Sequence, residues 1–197
     1  MYKYEEELYN QGINYIGGID EAGRGPLCGP VVAACVVLPR GFKLDGLTDS
    51  KKLSKKKREL FFSIINEQAL GVGIGIIGAK TIDKVNIYEA TKLAMKEALN
   101  NTNCKVEHVL IDAMKLDLEY PSTSIIKGDS KSITIAAASV IAKVTRDKIM
   151  DELDQKYPQY GFKNHKGYPT KKHIEAIKKY GIIEEHRKYF KPVSDNL

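Results

Sequence analysis

The chain has 197 residues, 43% of them hydrophobic, and its 31 basic against 25 acidic side chains leave a net charge of +6. That length suits one domain with a small appendage and a sizeable core. No apolar run approaches the roughly 20 residues that cross a bilayer, and the acidic start, Met1 to Glu7, lacks the apolar centre of a secretory signal. A cytoplasmic protein without membrane association is expected. Cys28, Cys35 and Cys104 are odd in number and not at metal spacing, which predicts reduced thiols.

The charge is unevenly spread. Residues 40–58 carry eight basic side chains against two acids, and residues 143–191 carry 13 against seven, so the remainder is acidic. Two basic patches and an acidic remainder point to a polyanionic partner and a separate acidic site.

In chain order, residues 15–20 and 31–38 read as buried strands joined by the glycine- and proline-rich turn 23–30. The first runs into Asp20-Glu21-Ala22-Gly23-Arg24-Gly25. Two adjacent carboxylates are followed by an arginine between glycines, which suits a backbone that approaches a ligand or turns to positive φ. Ser54 is the expected cap of a helix over 55–68, striped by Leu60, Phe61, Ile64 and Ile65. Residues 71–78 predict a third strand, and a helical entry at 81–87 leads into an amphipathic helix over 88–100. His108–Asp112 and Ser124–Asp129 each read as a short strand closed by an acid. A long helix is expected from about 131 to 156, begun by Ser130 and Ser132. Its small residues Ala136, Ala137, Ala138, Ser139 and Ala142 let it lie close to the sheet. After a turn-rich stretch at 157–170, helices over 170–180 and 182–188 complete the chain. The order predicts an α/β fold, a mixed sheet with helices on both faces.

Asp20 with Glu21, Asp112 and Asp129 therefore stand at strand ends, which converge on one edge of such a sheet. Four carboxylates brought together repel one another unless a cation lies among them. Oxygen-only donors suit Mg2+ or Mn2+, and two such ions about 4 Å apart can drive phosphodiester hydrolysis. Taken singly, Asp112 could be a turn acid and Asp129 a helix cap. Glu21 follows Asp20 on a strand, where neighbours face opposite sides, so either its side chain or its main-chain carbonyl is the candidate ligand. Asp117, Glu119 and Asp147 read as surface or ion-pair acids, and His165 and His173 as contacts to solvent or phosphate. Tyr168, between Gly167 and Pro169, suits either packing or stacking on a sugar or base.

Five blocks resemble the ribonuclease HII family in order across nearly the whole chain. They are Ile19 to Leu27, Asp49 to Leu53, Lys127 to Lys131 with Ala136 to Ser139, Ala142 to Asp147, and Gly167 to Thr170. The resemblance implies an RNase H-like catalytic domain over 1–157 and a small helical, substrate-binding extension over 158–197. It implies metal-dependent cleavage of the RNA strand of RNA/DNA hybrids, and cleavage 5′ of single ribonucleotides in duplex DNA, leaving 3′-hydroxyl and 5′-phosphate ends. Carried over by residue, Asp20, Glu21, Asp112 and Asp129 are the catalytic, metal-binding acids. Gly23, Arg24 and Gly25 grip the ribonucleotide, Tyr168 packs on the deoxyribose beyond it, and Ser50, Lys51, Lys143 and Arg146 meet phosphates. A monomer needing no protein partner is expected. With 19 residues before Asp20, a ribonuclease HIII architecture is disfavoured. Ala113 stands where the family often has glycine, which allows a different turn after Asp112, and Cys28 and Cys35 stand where alanine is more common.

Overall fold

A computed structural model describes residues 1–196, so the final residue of the expected 158–197 extension lies outside them. Five strands form one mixed sheet in the order β3-β2-β1-β4-β5. Strands β1 (Ile16–Ala22), β2 (Val31–Val37) and β3 (Gly71–Ile77) make an antiparallel meander, with Ile19 opposite Cys35 and Cys35 opposite Gly73. Strands β4 (His108–Asp112) and β5 (Ser122–Ile125) extend the sheet in parallel from the other edge of β1.

Period-two alternation along the wholly buried β2 feeds two cores. Val31, Ala33 and Cys35 face α3 (Ala79–Asn100), while Ala34 and Val36 face α2 (Lys55–Gln68) and α4 (Ile133–Lys156). Both packed helices come unusually close. A Cβ on Gly75 would lie 2.0 Å from the Ala94 carbonyl oxygen of α3, and one on Gly18 would lie 2.2 Å from the Thr134 carbonyl carbon of α4. The small residues Ala136, Ala137 and Ala138 of α4 are all fully buried.

The start of α4 is held by an element the sequence pattern did not announce, α1 (Lys3–Asn10). Glu5 is buried, and its Oε1 accepts from Ser132 Oγ at 2.5 Å, Thr134 N at 3.1 Å and Thr134 Oγ at 2.9 Å. A carboxylate there complements the free amides and positive end of the helix. Ser132 caps the same turn by accepting from Ile135 N.

Three expectations are corrected. The predicted strand 124–129 stops at Ile125, because its register partner Asp112 ends β4; the chain then turns through left-handed Lys127 (φ 56°), and Asp129 sits in a short 3-10 turn, Gly128–Ser130. The helical entry at 81–87 does not run unbroken into the helix over 88–100: the element is kinked at Asn86 (φ 69°), whose side chain caps Tyr88 N and Glu89 N. Residues 182–188 are not helical. Their backbone pairs instead with the loop after β1: Arg187 N donates to Leu27 O, Gly29 N to Glu185 O, and Cys28 and His186 form a bridge. Helices α5 (Phe162–His165) and α6 (Lys171–Tyr180) complete a third core around Leu27, Cys28, Met150, Phe162 and Ile177. Thr170 caps α6 and Gly181 ends it.

Gly18 offers a direct test of the sheet–helix distance. Replacing it with alanine is expected to destabilise the fold by about 3 kcal/mol and to lower the melting midpoint by about 6–12 °C. Thermal unfolding followed by circular dichroism measures this, and an unshifted midpoint contradicts the packing described.

Candidate active site

Strand alternation and the helix contact decide which acids meet. Gly18 and Asp20 point towards α4, and Ile19 and Glu21 towards the α3 side. Asp20 is buried and accepts from Glu21 N at 2.7 Å, and the Ser139 hydroxyl of α4 lies on its side of the sheet and favours its charged form. That hydroxyl lies 2.8 Å from Ser50 Oγ, which ties the Asp49–Leu53 segment to the site. Asp112 Oδ1, at the end of β4, accepts from Gly128 N at 2.6 Å, which draws the 128–130 turn and Asp129 alongside.

As a result one oxygen each from Asp20, Asp112 and Asp129 lies within 4.8 Å of the others. Glu21, the fourth acid expected with them, lies beside this group but outside its 4.8 Å limit. Glu21 Oε1 pairs with Arg24 at 3.6 Å, and Glu21 Oε2 is buried with no partner among the described residues. Ala113 takes a left-handed conformation (φ 48°), so the turn after Asp112 is one that suits glycine, held here by alanine.

The electrostatics are those of crowded acids. Burial, then Glu21 and Asp112, raise the Asp20 carboxyl well above its ordinary range. Burial, then Asp49 and Asp112, raise Asp129. Burial also raises Glu21, although Arg24 opposes it. Lys51 is the nearby counter-charge. Burial works against its proton, but Asp49, Asp20, Asp129 and Glu21 outweigh that and raise its pKa. Three clustered oxygens, raised carboxyls and an orphaned Glu21 oxygen are the donor set that a hard divalent cation fits.

Beside the acids lies a cleft of about 480 Å³. All eight residues expected to meet substrate line it: Gly23, Arg24, Gly25, Ser50, Lys51, Lys143, Arg146 and Tyr168. They are not equally free. Lys143 pairs with Asp147 at 2.6 Å, as expected of that acid. Arg146, expected at phosphates, is buried and donates to the carbonyls of Pro30, Cys28 and Lys166 at 2.9–3.1 Å. The Tyr168 ring is 41% exposed, and a Cβ on Gly25 would touch it at 3.6 Å.

Arg187, which no sequence pattern marked, holds the Gly23–Gly25 turn from below. It is buried and donates to Gly23 O at 2.6 Å, Arg24 O at 2.8 Å and Gly29 O at 2.9 Å. Peptide units are planar with N–H opposite C=O, so drawing these two carbonyls inward turns the amides of Arg24 and Gly25 outward. His173 was expected at solvent or phosphate, but it is fully buried against Phe162 and His186; His165 bonds Tyr160 O. A larger groove of about 700 Å³ between α3 and residues 182–189 has no carboxylate cluster, and Asp83 there accepts from the backbone of Lys188 and Tyr189.

The Ribonuclease HII family model matches residues 17–193. The chain belongs to the ribonuclease HII family. It is 60% identical to a Ribonuclease HII of Bacillus cytotoxicus over 197 residues, covering 100% of this chain and 76% of the relative. Among solved structures, ribonuclease H2 of Pyrococcus horikoshii OT3 superposes with a TM-score of 0.76 at 29% identity, covering 92% of this chain and 96% of that one. The RNase HII of Archaeoglobus fulgidus, solved in complex with PCNA, gives 0.73 at 26% identity over 90% and 95%. The family is one of ribonuclease H hydrolases, and the mixed sheet flanked by helices is the RNase H fold. No helix among the described residues is long and apolar enough to cross a membrane.

The raised carboxyls set a pH signature. Asp20 and Asp129 bind protons more tightly folded than unfolded, so this contribution to stability declines as pH rises above the ordinary carboxylate range. A cation that neutralises them reverses the decline. Millimolar Mg2+ or Mn2+ is expected to raise the melting midpoint at mildly alkaline pH and to have little effect at mildly acidic pH. A pH-independent shift contradicts binding at this cluster.

Proposed function

We propose that the chain is an endoribonuclease that cuts the RNA strand of RNA/DNA hybrids. We infer that it also cuts 5′ of single ribonucleotides in duplex DNA, leaving 3′-hydroxyl and 5′-phosphate ends. The observation that carries this reading is the juxtaposition of three acid oxygens within 4.8 Å with a cleft lined by Arg24, Lys51 and Lys143. Asp20, Asp112 and Asp129 would hold Mg2+ or Mn2+, two ions in the working enzyme, and Glu21 Oε2 offers a further oxygen from the adjoining strand position. When bound, such ions supply an activated water and Lewis-acid stabilisation of the phosphorus centre.

The chain's own residues supply recognition. The outward amides of Arg24 and Gly25 face the cleft, where a ribose 2′-hydroxyl, both donor and acceptor, is the group that separates RNA from DNA. Tyr168, next to Gly25, stacks on the following sugar. Lys51, Arg24 and Lys143 neutralise phosphates, and Arg146 with Arg187 fixes the loop rather than touching the strand. On this reading residues 158–197 form a substrate-binding extension, because Tyr168, which meets the substrate, belongs to it, as does Arg187, which holds the recognition turn in place.

The deciding assay compares a full hybrid with a duplex holding one ribonucleotide, with each metal in turn. Cleavage of both, at the 5′ side of the ribonucleotide in the second, is expected; binding without cleavage replaces the enzyme with a binding module. Asp129→Asn is expected to abolish cleavage and leave hybrid binding largely intact, and near-normal turnover by this variant sinks the assignment of Asp129. With about three phosphate contacts, a roughly fourfold rise in salt is expected to raise KM by about 40-fold. A flat salt response refutes the role given to the basic wall.

A further inference from the structure

Beneath the Tyr168 loop lie two histidines that the chemistry above does not use. His173 of α6 and His186 of the C-terminal segment are both fully buried, with their Nε2 atoms 3.1 Å apart. Their outer nitrogens are also engaged. His186 Nδ1 is 3.0 Å from the amide of Ile183, and His173 Nδ1 is 3.0 Å from the carbonyl oxygen of Tyr168.

These partners fix the protons. An amide only donates, so His186 Nδ1 is bare and its hydrogen is on Nε2. A carbonyl only accepts, so His173 carries its hydrogen on Nδ1 and presents a bare Nε2. The close pair is then satisfied one way: His186 Nε2–H donates to His173 Nε2. The result is a directional chain, Ile183 N–H to His186 to His173 to the Tyr168 carbonyl. A proton added to either ring sets a donor against a donor.

The surroundings keep both rings neutral. Burial, with charge repulsion from the neighbouring histidine, pushes His186 down to about 4. Burial pushes His173 down to about 4 as well, with His165 contributing in the same direction. The titratable groups packed around them are His165, stacked on His173 at 4.6 Å, Tyr160, whose hydroxyl donates to Gly181 O, and Cys28 across the bridge. Glu185 and Arg187 flank His186 in sequence, and no carboxylate is hydrogen-bonded to either ring among the described residues.

We propose that His173 and His186 are positioning residues for Tyr168: their one-way hydrogen-bond chain anchors the Tyr168 main chain and so aims its ring at the cleft. This rests on the reading above that Tyr168 contacts substrate. It adds that the C-terminal segment, through Ile183 and His186, sets that contact without touching nucleic acid.

Two measurements on the full chain test it. Long-range 1H–15N correlation at neutral pH should show His173 as the Nδ1–H tautomer and His186 as the Nε2–H tautomer; any other pairing, or a charged ring, overturns the chain. The second is affinity, by fluorescence anisotropy without divalent ions, for a labelled DNA duplex holding one ribonucleotide. His173→Leu and Tyr168→Ala are each expected to weaken binding about tenfold, the scale of one lost stacking contact. His173→Asn, whose amide can still donate to the Tyr168 carbonyl but no longer meets His186, should weaken binding clearly less than His173→Leu, which separates positioning from a folding defect. The double variant His173→Leu with Tyr168→Ala should bind like Tyr168→Ala alone. If His173→Leu weakens binding equally in both backgrounds, the positioning role is wrong. If Tyr168→Ala binds like wild type while the tautomers are as expected, the chain exists and the substrate contact assigned to Tyr168 is what fails.

Discussion

The approach of α4 to β1 at Gly18 is the constraint on which the site depends. A helix can lie with its main chain against a strand only where a side chain is missing, and Gly18 is met by the Thr134 backbone. Two residues further along the same strand face, Asp20 lies on the side of Ser139, five residues along the helix from Thr134. Because strand neighbours alternate, Glu21 is sent to the other side and into its pairing with Arg24. Crowding carboxylates opposes folding, as the raised Asp20 and Asp129 indicate. The buried aliphatic and alanine surface between α4 and the sheet offsets that.

A second constraint organises the other wall of the cleft. Arg146 and Arg187 are buried cations whose polar contacts are main-chain carbonyls of the loop after β1, with Lys166 the one exception. Burial lowers both guanidinium pKa values. Charge-assisted bonds to several carbonyls compensate for the lost hydration. The recognition turn is thus anchored by residues far away in sequence, one on α4 and one in the C-terminal segment. Part of the basic charge that reads as a nucleic-acid surface is structural.

This divides what the sequence makes legible from what it does not. Strand-end acids can be read locally, since an apolar run that stops at a carboxylate says where the side chain will sit; Asp20 and Asp112 follow that rule. Asp129 breaks it, because β5 ends with its partner strand and a left-handed Lys127 carries the acid onto a turn. Glu5 stands in the acidic start of the chain beside Glu6 and Glu7, with nothing local to mark it. Only partners 127 and 129 residues away make it a buried cap. His186 and Arg187 lie in a charged tail with no helical periodicity, whereas His173 shares the buried face of α6 with Ala176 and Ile177; what the pattern does not record is their packing against the Leu27–Gly29 loop, Phe162 and Tyr168. Local pattern records which residues can be buried. It does not record which distant carbonyl a donor will meet.

The strained backbone points to the same place. Among the described residues, four non-glycine residues have positive φ: Asn86, Ala113, Lys127 and Lys166. Asn86 precedes Ile87 on the cleft wall, Ala113 follows Asp112, Lys127 leads into Asp129, and Lys166 leads into Tyr168. Such conformations disfavour the fold by about 1–2 kcal/mol each outside glycine and asparagine. They persist because the surrounding contacts over-determine them: Asp112 Oδ1 holds Gly128 N on one side of the acid cluster, and Arg146 holds the Lys166 carbonyl on the other. Ala113 shows it most plainly. The alanine holds a turn better suited to glycine, with its N–H donating to Ile125 O and Met114 N donating to Asp112 O, directly beside the acid that accepts from Gly128 N.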